Sequence, residues 1–266
     1  GAQELSNMVW AFATLGCCDT PLLDAIAEQA IRISFEFKPQ DLGNTAWALA
    51  TLGYANRPLF QAISEAARAS MYHDASYSPQ NLTNIAWAYA TLMISDPPLF
   101  EAIATKAMAM IPHFNVQNLS NTAWAFAKLG EANEQLFAAI AEAALAKRCE
   151  WTPMACATLA WAFAKIGLRD DQLMQALAEE SMRKMAEFGA ESLANLAWAY
   201  AMLGISDPPL FDAIAAQALK MLGDFGPHDV AYLAWAFASL KVSHGPLLQA
   251  LAELARRHID DFAVGD

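Results

Sequence analysis

Large apolar, small and polar positions recur along this chain in one fixed order. The stretch 79–92 reads Pro-Gln-Asn-Leu-Thr-Asn-Ile-Ala-Trp-Ala-Tyr-Ala-Thr-Leu. Wound at ~100° per residue, it puts the large apolar Leu82, Ile85, Tyr89 and Leu92 on one side and the small Thr83, Ala86 and Ala90 on another. Numbered from its proline, these are unit positions 4, 7, 11 and 14 and unit positions 5, 8 and 12. The pattern predicts a helix buried on two sides, with large residues against a companion helix and small ones where a neighbouring copy approaches. After a short break comes Leu-Phe-Glu-Ala-Ile-Ala, residues 99–104, running on to about Pro112 as a second, amphipathic helix. Ala and Leu, both strong helix formers, dominate the two halves. Gly16, Gly53, Gly130, Gly167 and Gly204 are placed to close the first helix. Asp19, Asp96, Asp170 or Asp171, and Asp207 are placed to cap the second, with Pro21, Pro98 and Pro209 near its first position.

The same unit returns along almost the whole chain. Trp-Ala-[Phe/Leu/Tyr] starts at Trp10, Trp47, Trp87, Trp124, Trp161, Trp198 and Trp235, spaced by 37, 40, 37, 37, 37 and 37 residues. Periods of this size belong to solenoids or propellers. Nothing alternates with period two, so strands are not expected. The expectation is all-α: an α-solenoid of seven ~37-residue helical hairpins, about fourteen helices, wound as a right-handed superhelix. It forms one repeat domain over 2–263, with units 2–38, 39–78, 79–115, 116–152, 153–189, 190–226 and 227–263. The second unit carries three extra residues near 71–78, read as a loop insertion. An aromatic residue precedes each next unit (Phe37, Tyr77, Phe114, Trp151, Phe188, Phe225, Phe262) and is expected to anchor the core. Residues 3–15 already read as the inner helix of a unit, so the N-terminal edge is expected to be covered by missing repeats or by a partner. The last helix, with Arg256, Arg257, His258, Asp260 and Asp261, looks like an end.

This architecture accounts for the composition. Of 266 residues, 56% are hydrophobic and 17% charged, with a mean hydropathy of +0.22. The longest run without acidic or basic residues carries Ser, Asn, Gln and Pro, so no membrane span is expected. The net charge is −12, which leaves no strongly basic surface visible in bulk. No C-x-x-C pair joins the four cysteines, hence no zinc signature and no disulfide framework. Cys17 and Cys18 fall in the first inter-helix loop, while Cys149 and Cys156 read as small buried residues of a reducing compartment. His73, His113, His228, His244 and His258 occupy unrelated unit positions, and no catalytic or phosphate-loop motif occurs. No catalytic residue, metal site or cofactor is expected, and the chain is read as a non-enzyme.

One stripe of the first helix remains for binding. Unit position 2 holds Gln3, Gln40, Gln80, Gln117, Met154, Glu191 and His228. Position 3 holds Glu4, Asp41, Asn81, Asn118, Ala155, Ser192 and Asp229. Position 6 holds Asn7, Asn44, Asn84, Asn121, Thr158, Asn195 and Tyr232. Position 13 holds Thr14, Thr51, Thr91, Lys128, Lys165, Met202 and Ser239. Two readings of the position-6 asparagines stand together: a ladder tying neighbouring repeats, or contacts to a ligand. The tryptophans sit at the border of this stripe and are read as packing between repeats, with stacking platforms the alternative. The second helix carries acids early and bases late, which suits its dipole; its recurring bases leave open a weak phosphate-facing rim.

The strings PQNLTNIAWAYATL (79–92), VQNLSNTAWAFAKLG (116–130) and PQDLGNTAWALATLG (39–53) resemble octotricopeptide and heptatricopeptide repeats. They are also similar to the helical repeats of FAST-kinase-like proteins and of a repeat subunit of the RNA-editing substrate-binding complex. The resemblance covers 2–263. It implies a module of mitochondria or chloroplasts that binds single-stranded RNA for processing, stability or translation. By analogy with readers that take one base per repeat, it implies that Asn7, Asn44, Asn84, Asn121, Thr158, Asn195 and Tyr232 face the bases, with position 3 beside each. Gln40, Gln80, Gln117, Lys128 and Lys165 complete the candidate face. The rival expectation is a protein-binding scaffold or accessory subunit of a larger assembly. It is favoured by the acids Glu4, Asp41, Glu191 and Asp229, which on an exposed stripe would repel a polyanion.

Overall fold

Both halves of the repeated pattern fold as the periodicity predicts, and every unit is a helical hairpin. The computed structural model describes residues 1–73, 76–257 and 259. Among them lie fourteen α-helices. The first helices of the hairpins are α1 (Ala2–Thr14), α3 (Pro39–Thr51), α5 (Pro79–Thr91), α7 (Val116–Leu129), α9 (Pro153–Lys165), α11 (Ala190–Met202) and α13 (Pro227–Ser239). The second helices are α2 (Thr20–Arg32), α4 (Arg57–Met71), α6 (Pro97–Met110), α8 (Glu134–Ala146), α10 (Asp171–Arg183), α12 (Pro208–Lys220) and α14 (Gly245–Arg257). The fold is an α-solenoid type of repeat packing. The chain divides into two compact units, Gly1–Ala143 and Ala144–Asp266. In the first, α1, α3, α5 and α7 lie side by side in that order, and α2, α4 and α6 form the adjoining layer. In the second, α9, α11 and α13 pack in the same way, with α10, α12 and α14 beside them.

The helix ends follow local chemistry. Asp19, Asn56, Asp96, Asn133, Asp170 and Asp207 each accept the amide of the residue three places on, as N-caps. Asp170, not Asp171, is the cap of α10. The five predicted glycines follow their helices at φ of 64 to 74°, a left-handed conformation that costs a residue with a Cβ. Met93 and Lys241 occupy the same place in the third and seventh copies at φ 53° and 57°.

The two buried sides are as expected. Position-11 rings pack on the preceding hairpin's second helix: Phe60 meets Tyr89 with centroids 5.0 Å apart, Phe100 meets Phe126 at 4.8 Å, and Phe211 meets Phe237 at 5.0 Å, all edge to face. The hydroxyls of Tyr89 and Tyr200 donate to the carbonyls of Phe60 and Met174. On the small side, a Cβ on Gly43 would lie 3.2 Å from the Asn81 backbone, which measures how closely α3 and α5 approach. The Thr83 and Thr122 hydroxyls meet at 3.2 Å between α5 and α7. Of the aromatic anchors, Phe37, Tyr77, Phe114, Trp151, Phe188 and Phe225 are buried, and the Trp151 indole N–H donates to the Ala144 carbonyl at 3.0 Å. Phe262, His258, Asp260 and Asp261 lie outside the described residues.

Two features differ from the sequence reading. A one-turn 3₁₀ helix follows the second helix in five copies, at Ser34–Glu36, Ile111–His113, Arg148–Glu150, Met185–Glu187 and Leu222–Asp224. Cys149 sits on the third of these, a turn with no buried residue, and is exposed, not buried. Cys156 is buried as expected, and desolvation pushes its thiol up to about 12.

Candidate functional site

In each compact unit the first helices present a polar face, and the structure redraws its membership. Positions 2, 6, 9 and 13 fall within a narrow arc of an α-helix, whereas position 3 stands ~100° away from position 2. Position 2 is exposed in every copy (Gln3, Gln40, Gln80, Gln117, Met154, Glu191, His228). At position 6, Asn7 is exposed and Asn44, Asn84, Asn121, Thr158, Asn195 and Tyr232 are half-buried. Lys128 and Lys165 are exposed at position 13. Thr14 and Thr51 at that position turn their hydroxyls to the carbonyls of Trp10 and Trp47, 2.9 Å away.

Beyond the first copy, position 3 does not belong to the open stripe. Asp41, Asn81 and Asn118 are buried, because each side chain folds back onto the amide that opens its own helix. Asp41 accepts from the Lys38 N–H at 3.1 Å, Asn81 from Ser78 at 3.0 Å, Asn118 from Asn115 at 3.3 Å, and Asp229 from Gly226 at 3.1 Å. These are capping-box contacts, which satisfy donors the helix cannot. Asn81 and Asn118 were expected on the exposed stripe; their local bond to the backbone wins. The same fact withdraws Asp41 and Asp229 from the acidic stripe. A carboxylate at a helix N-terminus is balanced by the amide dipoles it faces. Glu4 and Glu191 remain exposed.

The tryptophans lie within the stripe rather than at its border. Trp10 and Trp235 are 47% and 44% exposed, and the five between them are half-buried. In the second compact unit they join a run of rings. Trp161 stacks on Trp198 with centroids 6.2 Å apart and planes 30° off parallel. Trp198 stacks on Tyr232 at 5.3 Å and 16°, and His228 lies 3.9 Å from Tyr232. Met154, 72% exposed, and Met202 flank the same face. In the first unit amides stand beside the tryptophans. There the Gln80 amide donates to Asn84 at 2.6 Å, and Asn118 donates to Gln80 at 3.3 Å across α5 and α7. Between α1 and α3 lies a cleft of about 200 Å³ lined by Gln3, Asn7, Gln40 and Asn44, with Glu36, Lys38 and Asp41 around them.

The late bases of the second helices are partly neutralised. Arg148 pairs with Glu179 at 2.9 Å. Glu180, 4% exposed, accepts from the Arg183 guanidinium and lies 3.3 Å from the Lys184 ammonium. Lys184 also donates to the Trp151 carbonyl. The bond from Arg183 holds the Glu180 carboxyl below its ordinary range. No group of three or more metal-ligating side chains occurs among the described residues, and none of the described helices is long and apolar enough to cross a membrane.

The model for the RNA-editing substrate-binding complex 6 protein matches residues 71–266, well over half of the chain. The chain belongs to this family. The matched span runs from the end of α4 through the last hairpin, so it contains the second compact unit whole and the hairpins that begin with α5 and α7. No curated protein matches the sequence. Sequence reasoning missed two parts of this face: the ring run Trp161–Trp198–Tyr232–His228 and the α1–α3 cleft. The ring run had a legible signal, since positions 2, 6 and 9 share one helical arc and in the last copy all three are aromatic. The cleft had none, because its opening depends on how four amides are oriented.

Proposed function

We propose that the chain is a non-enzymatic helical-repeat module that binds single-stranded organellar RNA along its first-helix faces, within an assembly of the kind its family name describes. One observation carries this reading. The exposed amides of Gln3, Gln40, Gln80 and Gln117 and the asparagines one turn on form a neutral hydrogen-bonding face, while Asp41 is turned into its own helix. Unstacked bases are recognised by hydrogen bonds to their edges and by stacking on aromatic rings, and this face offers both kinds of group. Its bare charge is small, so a polyanion meets little repulsion there. Lys128 and Lys165 stand where a phosphate could be met.

A pool of short single-stranded RNAs passed over the immobilised protein at low salt tests the reading. Retention is expected, and no retention of any RNA overturns it. The scaffold reading draws support from a different observation. In the second unit the ring faces of Trp161, Trp198 and Tyr232 already stack on one another, and Met154 and Met202 stand exposed beside them. Aromatic and methionine surface is characteristic of protein interfaces. A protein that co-purifies with the chain and is released by Met154→Asp would favour that reading.

A further inference from the structure

Within the first compact unit the amide face is not uniform. At α5 the Gln80 amide is already engaged, donating to Asn84 on its own helix and accepting from Asn118 of α7. Those bonds take up part of its capacity for a ligand. At α1 and α3 the corresponding side chains of Gln3, Asn7, Gln40 and Asn44 have no hydrogen-bond partner among the described residues, and they surround a cleft of about 200 Å³. The two helices are held to each other by the Ser6 hydroxyl, which donates to the Asp41 carbonyl at 3.3 Å. The cleft is therefore bounded by a fixed backbone contact and lined by uncommitted amides.

Its chemistry narrows the occupant. Glu36 and Lys38 offset each other in the lining and Asp41 is committed to its own helix, so the groups left open in the cleft are neutral carboxamides. A neutral group that offers a donor and an acceptor side by side suits carboxamides, which present the same pair reversed. The lining holds no arginine, and its one base, Lys38, is a point charge and not a planar fork; the carboxamides that dominate it are of the kind that pair bidentately with adenine. The volume suits one nucleobase and not two. We infer that the α1–α3 cleft is an adenine subsite, in which Asn7 and Asn44 from adjacent copies read the base edge and Gln3 and Gln40 close over it. The inference rests on the RNA reading above and adds a position and a base to it.

Filter binding of the full chain to A, C and U homopolymers of one length, at low salt, tests it. The wild type is expected to prefer the A polymer roughly tenfold over U. The Asn7→Ala/Asn44→Ala double variant is expected to bring that ratio near one, with its thermal melt superimposable on the wild type. Equal binding of all three polymers by the wild type overturns the subsite and leaves the RNA reading standing. So does a double variant that keeps the preference. If no polymer binds, both fall together.

Discussion

Two threonines at equivalent positions show how a single hydroxyl decides between stability and strain. Thr122 meets Thr83 across α5 and α7. Thr45, two hairpins earlier, is 1% exposed and its hydroxyl has no partner. A buried polar atom left unpaired costs ~1–3 kcal/mol, whereas a made hydrogen bond contributes about 1 kcal/mol. Valine keeps the shape of threonine in both places. Thr45→Val is therefore expected to stabilise by about 1 kcal/mol and Thr122→Val to destabilise by a similar amount. Thermal melts of the two variants, moving in opposite directions, check this. The same competition between a side chain's own backbone and its surroundings explains what the sequence left hidden at position 3. The pattern gave Asp41, Asn81 and Asn118 as polar and hence outward. Whether such a residue faces solvent or caps its own helix depends on a local bond that periodicity does not encode.

At the scale of the element, the hairpins were legible because two signals agreed. The apolar spacing fixed the helices, and the Asp and Gly positions fixed their ends. The 3₁₀ turns were not legible, since three residues are too short to show a period. One of them, Arg148–Glu150, leads into the Trp151 anchor, whose carbonyl is held by Lys184 at the end of α10. Glu180 ties that lysine and Arg183 together. Its folded-state pKa is lowered by the bond from Arg183, opposed by burial. The resulting stability is present in full above its ordinary value of 4.5 and is lost as pH falls through the lower folded value. Glu180→Gln is expected to lower stability by ~1–3 kcal/mol at pH 7. The gap to the wild type should begin to narrow only as pH falls below 4.5 and close once the lower folded value is passed. Melting temperatures of both proteins across this range measure it; a gap that stays constant with pH would contradict the ionic role.

For the whole molecule, a net charge of −12 and a candidate face with few cations lead to one expectation about binding. Nucleic-acid affinity falls with salt in proportion to the phosphates that Lys and Arg neutralise, with a slope near −0.7 per phosphate for single strands. With Lys128 and Lys165 as the exposed bases at position 13, the slope of log affinity against log salt is expected to be shallow, about −1 to −2. Titrations at several salt concentrations test this, and a slope beyond about −4 would place the RNA on another, more basic surface. The repeat count and the helix class were readable from seven tryptophans at regular spacing. The division into two compact units was not, because the spacing of the motif stays at 37 through the boundary.

The stacked indoles of Trp161 and Trp198 also have an optical consequence. Two like chromophores 6.2 Å apart and 30° from parallel couple their electronic transitions. The protein should therefore show a split circular-dichroism band in the indole region, which Trp198→Phe would collapse. Since both rings lie on the candidate face, an occupant there would change that band and the tryptophan emission together. The molecule thus carries its own reporter for whatever settles on its second unit, with no label added.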